Sequence, residues 1–282
     1  MKRIYADLVL LSIALIWGIT FPVIKIALDS ISPFAFNTIR FFTAVVLFLP
    51  FILTNKNFSV RDVKTGMLIG VVVFLGYSFQ TVGIEFTSAT NAGFITSTYV
   101  VFTPIIAFLF FKVRITTEEI LFITTTFLGL YLLSGYSGYF NFGDFLIMLC
   151  AVAFAVEIVI ISHFSKIKNP LSLAFGQVLA VAVFSAPLSL PSSKFNLNNE
   201  VLTSLLITAV FATTLARIGQ NYAQKFTRST DTAVIFSMEG VFAHIFSVFI
   251  LGESLSFMQY LGAGLIILSV IGISLLESNL ER

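Results

Sequence analysis

The chain alternates long apolar runs with short polar interruptions. Ten runs stand out, at roughly 5–28, 34–53, 65–84, 89–111, 119–135, 144–163, 170–190, 201–222, 231–251 and 256–276. Each is about long enough to cross a hydrocarbon core as a helix. Pro, Gly, Asn and Ser mark the breaks, as in "DSISP", "TNKNFS", "SGYSGYFNFG" and "PSSKFNLNN". No intervening segment is long or polar enough for a soluble domain. A chain in lipid must satisfy its own backbone hydrogen bonds, and these runs are too long and too poorly alternating for barrel strands. The pattern therefore predicts an all-α integral membrane protein of ten transmembrane helices. The first run follows Lys2 and Arg3 but is longer than a signal-peptide core and leads to no small-residue cleavage site, so it reads as a retained span.

Composition agrees with the pattern. The chain is 57% hydrophobic and 11% charged, where a soluble domain carries about 25% charged residues. Its 33 Phe read as lipid-facing or core residues, not as a cofactor box. The single cysteine, Cys150, falls in span six and allows no internal disulfide.

Charge placement gives an orientation. With the N-terminus inside, the inner segments hold Lys2, Arg3, Lys56, Arg61, Lys64, Lys112, Arg114, Lys166, Lys168, Lys225, Arg228 and Arg282. The outer loops hold only Lys194, and Lys25, Arg40 and Arg217 fall within spans. This asymmetry predicts both termini in the cytoplasm of a multi-pass protein of the cytoplasmic membrane. It also accounts for the net charge of +2 without a nucleic-acid partner.

The sequence repeats itself. A shift of 137 lays Asp7 on Asp144, Ala14 on Ala151, Pro33 on Pro170, Val46 on Val183 and Pro50 on Pro187. A shift of 140 lays "FTSAT" (86–90) on "FTRST" (226–230), Gln80 on Gln220, Ser97 on Ser237 and Phe102 on Phe242. Pro is rare here, seven in all, so paired prolines at one shift mark a repeat and not shared composition. Two halves follow, 1–137 and 138–282, with five spans each. An odd number of spans makes the second half enter from the opposite side, the inverted-repeat plan of many transporters, with substrate held near the midplane.

Three stretches then carry a resemblance. "WGITFPVIKIALDSISPFAFNTIRFF" (17–42), with Trp17, Gly18, Lys25, Pro33 and Arg40, resembles the opening of the EamA branch of the drug/metabolite transporter superfamily. "FGDFLIMLCAVAFAVEIVI" (142–160), with Gly143 and Asp144, resembles that family's second-half start, and "MEGVFAHIFSVFILGESLSFMQYLGAGLIILSVIG" (238–272), with Glu253, its close. The chain departs from the family in having Glu239-Gly240 where Glu-Pro is usual, Val100 at the first-half equivalent with Pro104 a turn later, and Val113 opposite Glu253. The resemblance implies a ten-helix bundle that moves small organic solutes, often metabolites or amino acids and often outward.

Ionisable residues within spans are expensive and mark functional candidates. Glu239 lies near the middle of span nine, with Gly240 beside it to admit a second backbone. Glu157 lies inward of the centre of span six and falls on Thr20 in the repeat. Arg40, whose repeat partner is Gln177, suits a carboxylate or phosphate; it could equally pair with Glu157 or Glu239 as a gate. Lys25, one turn from the outer end of span one, either binds substrate or snorkels to the interface. Tyr77, Gln80, Tyr99, Gln177 and Gln220 could line a polar cavity or bridge helices. Arg217, with Asn221 near the inner end of span eight, reads as an interface anchor or inner gate. His244 has no second His or Cys nearby for a metal. Gly66 and Gly70 read as close helix packing.

Buried acids and buried cations together suit a zwitterion such as an amino acid, with its carboxylate on Arg40 or Lys25 and its amine on Glu239 or Glu157. The expectation is a secondary transporter that exports an amino acid or related metabolite by alternating access, coupled to protons or exchange. The alternatives are a drug or lipid-linked-sugar exporter and, in a different class, a membrane-embedded enzyme. No Walker, HExxH or GxSxG motif and no paired Asp motif is present, so neither ATP, a cofactor nor catalysis is expected.

Overall fold

The computed structural model describes residues 3–133, 140–189, 194–252 and 256–280, with side chains described as far as residue 275. The boundary expected at 137/138 and the Glu253 of the family motif lie outside the described residues. The described chain forms ten long helical elements and no strand beyond an isolated bridge between Ile31 and Phe195. They are α1 (Arg3–Ala27), α2 (Pro33–Thr54), α3 (Val60–Phe86), α4 (Ala89–Phe111), α5 (Thr117–Leu133), α6 (Phe142–Phe164), α7 (Pro170–Ser189), α8 (Asn199–Ala223), α9 (Ser229–Leu251) and α10 (Phe257–Leu280). Nine are long and apolar enough to cross a membrane, and α5 falls just short at 17 residues.

Polar residues start the helices where the sequence pattern changes. The Ser59 hydroxyl accepts from the Asp62 amide at the start of α3, and Asn198 accepts from the Val201 amide at α8. At α6, Asn141 and Asp144 bond each other's backbone amides in a capping box, at 2.9 and 3.0 Å. The bundle closes through α3 against α6 and α7, α1 against α9, α2 against α7, and α5 against α10. Small residues set the closest crossing. A methyl group on Gly66 of α3 would strike the Leu173 backbone of α7, and one on Gly176 would strike that of Val63. Lipid supplies no hydrophobic force between helices, so such close packing stabilises the bundle instead.

Three helices are irregular. α4 breaks at Thr98, between Ala89–Ser97 and Tyr99–Phe111, and α9 breaks at Ser237, between Ser229–Phe236 and Met238–Leu251. Both breaks share a local feature. The Thr98 hydroxyl donates to the Ile95 carbonyl at 2.6 Å, and that of Ser237 donates to the Val234 carbonyl at 2.5 Å. A side chain that competes for a backbone acceptor loosens the helix there and favours a bend. Pro104 follows the break in α4 and removes one more backbone donor. The α9 break thus falls three residues before Gly240, whose role is proximity: a Cβ there would come within 3.0 Å of the Ser97 hydroxyl of α4. The third irregularity is a π-helical stretch, Ile207–Leu215, inside α8.

Candidate functional site

The broken parts of α4 and α9, and α8 just past its π-helical stretch, meet α1, α2, α3 and α6 around one central cavity. It is lined by Trp17 and Thr20 (α1), Arg40 (α2), Tyr77 and Gln80 (α3), Tyr99 (α4), Phe154, Glu157 and Ile158 (α6), Arg217 and Gln220 (α8), and Phe236 and Glu239 (α9). Its volume is about 20 Å³, room for roughly one water. In this conformation the cavity leaves little space for a solute.

Two arginines and two carboxylates are buried here, each 4% exposed or less. Glu157 is engaged through Oε1. It forms an ion pair with Arg217 and accepts from the Gln220 amide at 3.1 Å. Arg217 also donates to the Gln220 carbonyl oxygen at 3.0 Å and to the Tyr77 hydroxyl at 2.8 Å. Its guanidinium lies 5.5 Å from the Trp17 ring centre and 5.1 Å from that of Tyr77.

Arg217 keeps its buried Nε without a partner, but its charge is met by Glu157; the other two charges have no counter-charge among the described residues. Arg40 donates from Nε to the Thr213 hydroxyl at 2.8 Å, and its guanidinium lies 4.7 Å from the Tyr77 ring centre, but its buried Nη1 has no hydrogen-bond partner among the described residues. Glu239 accepts from the Tyr99 hydroxyl at 3.1 Å and makes no ion pair among the described residues. A buried charge left without a counter-charge is costly.

The π-helical stretch supports this arrangement. The Trp17 indole donates to the Ala212 carbonyl at 2.9 Å, and Thr213 from the same stretch holds Arg40. π-helical irregularities free carbonyls from the regular ladder and are frequent at functional sites.

Of the residues singled out in the sequence, Glu239, Glu157, Arg40, Tyr77, Gln80, Tyr99 and Gln220 line the cavity. Lys25 does not. Its ammonium donates to the carbonyls of Ile84, Glu85 and Thr87 at 2.8, 3.2 and 2.9 Å, so it caps the end of α3 rather than snorkelling or facing a solute. Gln177 also lies outside the lining and trades hydrogen bonds with Asn221 at 3.1 and 3.3 Å, joining α7 to α8. Arg217 is no interface anchor: it is 1% exposed and neutralises Glu157, the partner once open to Arg40. Trp17, Thr20, Phe154, Ile158 and Phe236 complete the wall without having been singled out as lining, because apolar and small residues in a span carry no mark of which way they face. His244 is buried on α9 outside the lining. Among the described residues no cluster of three or more His, Cys, Asp or Glu could hold a metal.

Comparison with known proteins agrees with this architecture. A solved crystal structure superposes with a TM-score of 0.80 over 100% of both chains at 17% identity, which shows the fold. An uncharacterized transporter of Archaeoglobus fulgidus is 54% identical over 275 residues, 97% of this chain and 87% of the relative. The uncharacterized transporter YyaM of Bacillus subtilis is 25% identical over 96% of this chain and 94% of its own length. A shorter match, 25% identical over 53% of this chain and 52% of the relative, is to an S-adenosylmethionine uptake transporter of Rickettsia felis. The model of the EamA-like transporter family matches twice, over residues 4–135 and 141–275. With the family matched along both stretches and a bundle of membrane-crossing helices around a charged central cavity, the chain belongs to the EamA-like transporter family and is a multi-pass membrane transporter of the drug/metabolite type.

Proposed function

We propose that this transporter exports a small zwitterionic metabolite, an amino acid or a close relative, across the cytoplasmic membrane by alternating access between two inverted five-helix halves, with both termini in the cytoplasm. One observation carries the reading. Glu157 and Arg217 neutralise each other, while Arg40 keeps a buried nitrogen without an acceptor and Glu239 keeps a carboxylate without a cation. The unmatched pair is one positive and one negative group in one cavity, which suits a substrate carboxylate on Arg40 and a substrate ammonium on Glu239.

The aromatic wall of Trp17, Tyr77, Tyr99, Phe154 and Phe236 supports a substrate with an apolar or aromatic body. The relative named for S-adenosylmethionine supports an amino-acid derivative, although its name gives the opposite direction. Small-molecule sites usually occupy about 300–1,000 Å³, so the contracted cavity has to widen by helix movement for a substrate to enter. The broken helices α4 and α9 are the elements placed to do this.

The test is efflux from proteoliposomes loaded with mixed labelled amino acids, with and without a pH gradient. One or a few amino acids should leave, and Arg40→Gln and Glu239→Gln should each stop them. A rate that follows the gradient points to proton coupling. Well-folded protein that releases no amino acid would sink the proposal and turn attention to drugs or lipid-linked sugars.

A further inference from the structure

α4, α6 and α9 enclose a second cavity, of about 210 Å³, further along the same three helices. On α6 the central cavity takes Glu157 and Ile158, and the second takes Val159, Ser162 and His163, with Lys166 just past the helix end. On α9 the central cavity takes Phe236 and Glu239, and the second takes Ser229 with Arg228 before it. It therefore lies at the end of the bundle that also carries Lys112, Arg114 and Lys225.

Its chemistry is one-sided. His163, Lys166 and Arg228 line it, and no carboxylate does. The acids packed nearby are engaged. Glu119 of α5 accepts from the Thr116 amide at 2.7 Å and from the Thr230 hydroxyl at 2.5 Å, and pairs with Arg228 at 3.1 Å. Asp231 pairs with Arg3 at 2.8 Å, and Asp62 with Lys168 at 3.1 Å. Lys166 makes no hydrogen bond or ion pair among the described residues. The Ser162 hydroxyl accepts from the Gln224 amide at 2.8 Å, which leaves its proton free to donate into the cavity. The His163 ring is held against the wall by stacking on Phe111, with centres 4.5 Å apart.

We infer that this cavity binds a phosphate group, separately from the central site. The Lys166 ammonium, the Arg228 guanidinium already shared with Glu119, the His163 ring and the hydroxyls of Ser162 and Ser229, with no acid on the wall, offer donors to a phosphate group from several sides. Two sources share that chemistry. One is the headgroup of an anionic phospholipid, since Phe110 and Ile167 beside the cavity are 72% and 64% exposed, as at a lipid boundary. The other is a soluble phosphate ester.

The test is the unfolding temperature of the full chain in a neutral maltoside detergent. It is titrated with inorganic phosphate against chloride at equal ionic strength, and with phosphatidylglycerol against phosphatidylcholine in mixed micelles. A saturable rise with phosphate, phosphatidylglycerol or both is expected, without one in the controls. A rise with phosphate alone assigns a soluble ligand; a rise with phosphatidylglycerol alone assigns a lipid headgroup. Lys166→Gln should weaken the apparent affinity roughly fivefold, the loss expected for one cation near a phosphate surface. His163→Gln with Lys166→Gln should remove the effect, and both side chains are exposed, so the fold should survive their replacement. No saturable rise with either ligand, or a rise that persists in the double variant, would overturn the inference. Because binding is read without transport, such a failure leaves the proposed export untouched.

Discussion

Tyr77 and Arg217 stand 140 residues apart, as do Tyr99 and Glu239, and each pair is joined by a hydrogen bond. That separation is the shift that lays the second half of the sequence on the first, so the two halves can be compared residue by residue at the cavity. The first half contributes neutral phenols, Tyr77 and Tyr99, and the hydroxyl of Thr20. The second contributes charges at the matching places, Arg217, Glu239 and Glu157. Arg40 reverses the rule, with neutral Gln177 as its counterpart. The difference has a physical reason. A residue that touches its own counterpart would meet a like charge if both halves kept the same ionisable group, and like charges in a low dielectric repel strongly. A phenol opposite a charge instead orients it without cancelling it. The frame is duplicated, and the chemistry is divided between the copies.

The largest effect comes from breaking the neutral pair. Glu157→Gln leaves Arg217 buried without its counter-charge, which should lower the unfolding free energy by about 3–5 kcal/mol. Denaturation in detergent micelles measures it. Adding Arg217→Gln to Glu157→Gln should recover most of the loss, since both charges are then gone. A double variant no better than the single one would mean that Arg217 owes its place to Tyr77 and Gln220 and not to Glu157.

A charge that serves one end of the bundle should behave differently. Lys25→Met keeps the stem and removes the ammonium from three carbonyls at the end of α3. The expected cost is about 1.5–3 kcal/mol of stability, the range for hydrogen bonds to a charged group. Export by the protein that remains folded should be unchanged in rate and affinity. A rise in KM with intact stability would return Lys25 to the substrate path.

These contrasts show how far the sequence could be read. Helix positions were legible because length and hydropathy decide them in lipid: the expected run at 89–111 and the observed α4, Ala89–Phe111, coincide. Glu239 and Glu157 were legible because an acid in a span has few places to be. Arg217 was not, since five residues from the end of a run looks like an interface, and depth along a span does not tell which helix lies opposite. Applying the 140-residue shift to it would have landed on Tyr77 and pointed to the centre. The breaks in α4 and α9 were hidden for another reason. Thr98 and Ser237 are ordinary hydroxyl residues, and the bond each makes to a carbonyl three residues back is one that Thr20 also makes within unbroken α1. The π-helical stretch of α8 carries no sequence mark that we can identify.

The smallest effect sharpens the comparison most. Tyr99→Phe and Tyr77→Phe each remove one hydroxyl and keep the ring. Either loss should cost about 1.5 kcal/mol of stability, the low end of the range for a single hydrogen bond to a charged group. Function should separate them. Arg217 without the Tyr77 hydroxyl still has Glu157 and Gln220, so Tyr77→Phe should leave substrate affinity near that of the parent. Glu239 without the Tyr99 hydroxyl loses the one hydrogen bond the described residues give it, so its carboxylate is no longer held in place for an incoming ammonium. Tyr99→Phe should therefore raise the KM of export several-fold, and the proteoliposome assay resolves a change of that size. Equal KM values for the two variants would mean that the phenols play the same structural part, and that the division of chemistry between the halves ends at the charges themselves.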